Sequence, residues 1–371
     1  PSLPPEKDKP VAVRAPLASI PPLLPSGDSQ VLARAGLPLI GRKAILDRIV
    51  DTTMGAITKR TPRTIAVVGP AGIGKTRLRT ELSRALRSQT SPPVVLTARA
   101  EDTARSTPYG FLRRVLLAEA RIYPDDALDV KRAKLEALVP DAHDVARALR
   151  AVAMHADQSE ERTRFTKVER WTERPSMVAA MSDAFQVDEP SASRAQTAGE
   201  EEERKLVLAL LGEALDVAYP LSPAWAAARR DPRIMAMETR RSLDLVLRER
   251  ARKAGLVLLV DEAHQLDRPS AGVLRGLGEI RGESSPVVVI ALGLTTLDDE
   301  PPGGRAPWIA GRVDRIALGV LDGGASKQLA RLVLGTPVRA DALEILVQRA
   351  GGNALYLEQL VRAVRETEVL T

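Results

Sequence analysis

The residues best suited to chemistry stand in the run Gly69-Pro70-Ala71-Gly72-Ile73-Gly74-Lys75-Thr76, which meets the pattern G-x-x-x-x-G-K-[ST] at every fixed position. Glycines at these spacings let the main chain approach an anion without a Cβ in the way. Lys75 supplies an ammonium for β and γ phosphates, and the Thr76 hydroxyl is a hard oxygen ligand for Mg²⁺. Arg77, the next residue, is counted with the loop as a nucleotide contact. A second group closes the apolar run Leu256-Val257-Leu258-Leu259-Val260, which ends in Asp261-Glu262-Ala263-His264. Asp261 is suited to hold Mg²⁺, directly or through water, and Glu262 to orient or deprotonate the attacking water. One acid neutralised by the metal and one left basic divides the work. His264 completes a string found also in a class of helicases, but no second helicase core or single-strand channel motif accompanies it, so it is read as a packing or hydrogen-bonding residue.

These groups need elements that aim them. Thr64-Ile65-Ala66-Val67-Val68 is short, β-branched and apolar, as a strand buried on both faces of a parallel sheet should be. Leu78, Leu82, Ala85 and Leu86 then recur at helical spacing. The loop therefore falls at a strand-to-helix turn, where backbone N–H groups and the helix dipole converge on an anion. The run ending at Asp261 reads as a central strand whose C-terminal end faces the ligand crevice. Pro93-Val94-Val95-Leu96-Thr97-Ala98-Arg99 and Pro286-Val287-Val288-Val289-Ile290-Ala291-Leu292 read as further strands.

Length and composition bound the rest. With 371 residues the chain is long enough for two or three domains with substantial cores. It has no Cys and 3 His, which excludes disulfides and thiolate metal sites and argues against a dedicated zinc site. No apolar run approaches a membrane span and no signal-peptide pattern opens the chain, so a cytoplasmic location and no membrane partner are expected. The 54 basic and 48 acidic residues are mostly interspersed and aromatics are 3%, which argues against a nucleic-acid partner, for which a basic stripe and stacking rings are wanted.

Along the chain, residues 1–37 carry prolines at 1, 4, 5, 10, 16, 21, 22 and 25 and read as a semi-rigid linker. The start at Pro1 suggests a segment of something longer. Leu37-Pro38-Leu39-Ile40-Gly41-Arg42 leads into a helix carrying Ile45, Ile49 and Val50. After Thr107-Pro108-Tyr109-Gly110, Leu and Ala keep helical spacing to about Val152. Residues 158–204, polar and with the acidic run Glu200-Glu201-Glu202-Glu203, are expected to be an insertion at least partly disordered, a solvated spacer. A long helix through Arg240, Leu243, Leu245 and Leu247 follows, and a final helical block covers about Gly324 to Glu368. In its last segment Leu357, Leu360, Val361 and Val364 share one face and must pack on something.

Taken together, Ile40-Gly41-Arg42, the Gly69–Thr76 loop, Thr107-Pro108-Tyr109-Gly110, Ala227-Ala228-Arg229-Arg230-Asp231-Pro232, Asp261-Glu262-Ala263-His264 and Gly351-Gly352-Asn353-Ala354-Leu355-Tyr356-Leu357-Glu358 resemble the ATPase module of STAND-type signalling proteins, relatives of the AAA+ ATPases, particularly the version in large bacterial Ser/Thr kinases and cyclases. The resemblance implies an α/β fold, a P-loop NTPase parallel sheet with flanking helices over 38–320, followed by a small C-terminal helical lid over 321–371. It implies that Gly41 and Arg42 cover the adenine and that Thr295 or Thr296 senses the γ-phosphate. It further implies an upstream effector domain such as a kinase, downstream helical repeats in the same chain, nucleotide-dependent self-assembly, and ATP/ADP with Mg²⁺ as cofactors. The expected function is an ATP-binding and ATP-hydrolysing regulatory switch. Two departures bear on turnover: Gly293-Leu294-Thr295-Thr296 stands where relatives often carry an Arg, and Ala354 where they often carry a Pro. Without that Arg, hydrolysis is expected to be weak or to draw an Arg in trans. Two other readings stand beside this one: a nucleotide-binding scaffold without useful turnover, and a DNA-handling AAA+-like ATPase.

Overall fold

Runs of β-branched and aliphatic residues that lack polar alternation can be satisfied only between two covering layers, and they form the centre of this fold. The computed structural model describes residues 38–101, 107–150, 189–220, 223–278, 286–294, 313–335 and 339–366. The chain divides into Pro1–Leu37, which lies outside the described residues, and Pro38–Thr371. In the latter, helix α1 (Lys43–Thr58) precedes β1 (Arg63–Val68), α2 (Lys75–Arg87), β2 (Val94–Arg99), α3 (Gly110–Glu119), α4 (Leu128–Leu138) and a helical stretch, α5, over 142–150. Then come α6 (Glu189–Leu215), α7 (Pro223–Ala228), α8 (Pro232–Ala254), β3 (Leu256–Asp261), α9 (Arg268–Gly278), β4 (Val287–Gly293) and β5 (Val313–Ala317). Helices α10 (Gly323–Leu334), α11 (Ala340–Ala350) and α12 (Ala354–Glu366) follow.

The strands form a 5-stranded sheet in the order β2-β3-β4-β1-β5, every neighbouring pair parallel. The chain is therefore an α/β protein with a parallel sheet and flanking helices, as expected of a P-loop NTPase. Side chains alternate between two apolar layers, as a pleated strand requires. Leu256, Leu258 and Val260 of β3, with Val287, Val289 and Ala291 of β4, meet α3, α6, α8 and α9. Val257 and Leu259, with Val288, Ile290 and Leu292, face α1 and α2. Leu78, Leu82 and Leu86, four residues apart on α2, are fully buried in this second layer, which seats the helix that begins at Lys75.

The C-terminal helices have a core of their own: Ala330 and Leu334 of α10, Leu343, Leu346 and Val347 of α11, and Leu357, Leu360 and Val361 of α12. Ile40, ahead of α1, packs with Leu321 and Ala325 at the start of this block. Gly41 allows that approach, because its φ is +69° and a Cβ there would lie 2.7 Å from the Cβ of Ala325.

One expected segment is described in part. The part of the 158–204 segment over 189–204 is helical, belonging to α6, and only 158–188 lies outside the described residues. In the acidic run, Glu202 pairs with Lys205 at 2.8 Å one turn on, and Glu200 with Arg150 of the preceding stretch at 3.2 Å. Pairs at i,i+3 favour a helix despite a polar composition, and the buried Val207, Leu208, Leu210 and Leu211 anchor its continuation.

Candidate nucleotide-binding site

The sheet order separates β1 from β3 by β4 alone, and parallel strands deliver both C-terminal ends to one edge. The loop after β1 and the carboxylates after β3 are thus brought to one place. The main chain fixes the loop's root: Leu318 donates its N–H to Val68 O at 2.7 Å, and Gly69 donates to Gly293 O at 3.2 Å. Gly74, in the left-handed region at φ 101°, is the N-cap of α2, so Lys75 and Thr76 occupy the helix's first turn and its free N–H groups.

Lys75 is buried, and its Nζ donates to Gly69 O at 2.9 Å and Pro70 O at 2.8 Å. Burial lowers its pKa from the ordinary 10.5, while the negative charges of Glu262 and then Asp261 act in the opposite sense. That coupling places both carboxylates within electrostatic reach of the loop's ammonium. Gly72 has φ +73°, and a Cβ there would lie 2.6 Å from Asn353 Oδ1 of the C-terminal block. Asn353 Nδ2 donates to Ala71 O at 3.0 Å and the Leu355 N–H to Gly72 O at 3.0 Å, so the start of α12 is seated on the loop.

Asp261 is 1% exposed, and its Oδ2 accepts no hydrogen bond among the described residues, Arg79 Nε standing 3.3 Å away. Its Oδ1 accepts the N–H of Glu262 at 3.1 Å. The Asp261 carboxylate, ion-paired with Arg79 but with an Oδ2 that accepts no hydrogen bond among the described residues, and the Thr76 hydroxyl of the loop are oxygen donors of the kind that suits Mg²⁺. Glu262 holds a φ of +51°, strained for a residue with a Cβ, and partly buried. Its Oε2 lies 3.5 Å from His264 Nε2 and its Oε1 4.0 Å from Arg99 Nη2. His264 thus contacts the candidate base.

The other expected residues make contacts of their own or lie outside the described residues. Arg42 is buried, its pKa lowered by that burial, and its Nη2 donates to Gly319 O at 2.9 Å in the segment joining β5 to α10. Arg77 pairs with Glu81 on its own helix at 2.9 Å. Thr295 and Thr296 lie outside the described residues.

Residues that sequence reasoning gave no role hold the site together. Asp267 is 2% exposed; Oδ1 accepts the N–H groups of Tyr109 at 3.0 Å and Ser270 at 2.8 Å, and Oδ2 that of Phe111 at 3.1 Å. It caps α9 and ties the start of α3 to the chain leaving β3, which is what the Thr107–Gly110 string does here. An Asp three residues before a Ser at a helix start is a readable cap signal; its second partner is not. Asn353 likewise accepts the N–H of Tyr356 at 3.1 Å as the cap of α12.

No helix among the described residues is long and apolar enough to cross a membrane. No curated protein matches the chain. A family model for the AAA ATPase domain matches residues 38–290, most of the sheet and both motif-bearing strands included. The chain belongs to that family, and is a nucleotide-binding AAA ATPase domain.

Proposed function

We propose that this domain is an ATP-binding and ATP-hydrolysing regulatory switch within a larger bacterial signalling protein. The backbone of Gly69, Pro70, Ala71, Gly72, Ile73 and Gly74 and the ammonium of Lys75 bind the phosphates, with Thr76 and Asp261 holding Mg²⁺. The metal, when bound, neutralises charge on the phosphate oxygens. Glu262 orients and deprotonates the attacking water, and its neighbours His264 and Arg99 fix its position between loop and sheet edge. Gly41 and Arg42 cover the adenine, with Ile40 packed against Leu321 and Ala325 and Arg42 bonded to the Gly319 carbonyl.

The observation that carries the switch reading is the bonding of α12 to the phosphate loop through Asn353 and Leu355. A helical block fastened to the element that meets the phosphates has an affinity for it that nucleotide alters, and only such differential binding can shift a conformational equilibrium. An upstream effector such as a kinase, downstream helical repeats and nucleotide-dependent self-assembly are the readouts this reading supplies. The test is limited proteolysis and mass measurement of the chain with ADP and with a non-hydrolysable ATP analogue. Different cleavage patterns or masses in the two states are expected. Identical behaviour with both nucleotides bound contradicts a switch and favours a scaffold.

A further inference from the structure

Every carbonyl in the first half of the phosphate loop has a donor. Lys75 Nζ takes those of Gly69 and Pro70, Asn353 Nδ2 that of Ala71, and the Leu355 N–H that of Gly72. In a planar trans peptide the C=O and the following N–H point to opposite sides. A donor that draws Ala71 O toward the C-terminal block therefore turns the Gly72 N–H away from it, and the bond to Gly72 O does the same for the Ile73 N–H. Those N–H groups belong to the set that cradles phosphate in a loop of this kind. Glycine has little intrinsic preference for one peptide orientation, so at Gly72, with φ +73°, the orientation is set by such partners.

We propose that Asn353 is a positioning residue: through its bond to Ala71 O it sets the peptide orientation of the phosphate loop, so that seating of the C-terminal block preorganises the loop for the β and γ phosphates. The proposal rests on the nucleotide-binding reading above. The residue type matters, because Asn353 uses both halves of its amide. Its Oδ1 accepts the Tyr356 N–H and caps α12, while its Nδ2 reaches the loop. Aspartate keeps the cap, loses the donor and sets an acceptor against Ala71 O; serine keeps the cap and is too short to reach the loop.

The experiment compares the whole chain with its Asn353→Asp and Asn353→Ser variants, measuring affinity for a fluorescent ATP analogue with Mg²⁺, affinity for adenosine by competition, and helix content by circular dichroism. Unchanged helix content and unchanged adenosine affinity are expected, with ATP binding weakened about fivefold by Ser and further by Asp, the scale of one net hydrogen bond. ATP affinity equal to that of the parent chain in either folded variant overturns the proposal. Equal weakening of ATP and adenosine also overturns it, since a structural cap would act on both. A parent chain that binds adenosine and ATP alike, or neither, contradicts the nucleotide-binding reading itself, and so is distinct from a failure confined to the variants.

Discussion

The guanidinium of Arg79 stands against the buried carboxylate of Asp261, Nε 3.3 Å from Oδ2, while Nη1 donates to the Thr97 hydroxyl of β2 at 2.8 Å. Arg79 lies one turn along α2 from Thr76, so a residue outside the loop pattern supplies a positive charge in contact with the candidate metal ligand. A carboxylate removed from water needs a compensating cation, and deleting the partner leaves it uncompensated. Arg79→Ala is expected to lower stability to urea by about 2 kcal/mol, below the roughly 3–5 kcal/mol of a fully buried pair because Arg79 is partly exposed. Mg²⁺ with ADP should recover part of the loss, the metal taking the place of the guanidinium. A loss that Mg·ADP leaves untouched speaks against Asp261 as a metal ligand.

Lys75 gives a pH dependence whose sign is set by its burial. Desolvation holds its pKa below 10.5, with Glu262 the larger and Asp261 the smaller charge opposing that shift. A depressed amine pKa means that the fold disfavours the charged form: this cost to stability is present at neutral pH and is relieved as pH rises through the folded value. Phosphate binding needs the ammonium, so nucleotide affinity should run the opposite way, level near neutrality and falling as pH rises through the lowered pKa. Glu262→Gln removes the larger raising charge and should move the fall to lower pH. Calorimetric titrations between about pH 7 and 10 read this directly; a fall that moves upward in the variant contradicts the electrostatic coupling.

Asp267 should matter to stability rather than to chemistry. It is buried and receives three backbone N–H groups, those of Tyr109, Phe111 and Ser270. In Asp267→Asn one face of the side chain becomes a donor and meets an N–H, leaving a buried pair unsatisfied. The expected cost in chemical denaturation is on the order of 3 kcal/mol, with the ATP affinity of the folded fraction retained. A loss within the scatter of surface substitutions would show that the carboxylate is not the tie between α3 and β3.

The strands and the loop were legible because their constraint is local. A strand covered on both faces must be apolar throughout, and Leu256–Val260 and Val287–Leu292 are; a turn that must cradle an anion needs glycines and a lysine at fixed spacing, and Gly69–Lys75 has them. Helical spacing marked Leu357, Leu360 and Val361 as one packed face, and they pack against α10 and α11. What the sequence did not yield is long-range partnership. Asn353 meets Ala71 across 282 positions and Arg42 meets Gly319 across 277, and no local pattern encodes either. Arg42 illustrates the point: its place before α1 is readable locally, whereas the backbone carbonyl that its side chain holds is not. The partners of the acidic run at 200–203 were hidden for another reason, since composition registers charge but not the Lys205 and Arg150 that answer it.

The most direct test of a hydrolysing nucleotide switch is [γ-³²P]ATP turnover, with nucleotide affinity measured in parallel, for the chain and its Lys75→Ala and Glu262→Gln variants. The parent chain should bind ATP and release phosphate; Lys75→Ala should lose both, and Glu262→Gln should keep binding while turnover falls about a hundredfold, the contribution of a positioned general base. Parent-like turnover in Glu262→Gln, or tight binding with no turnover in any form, would contradict it.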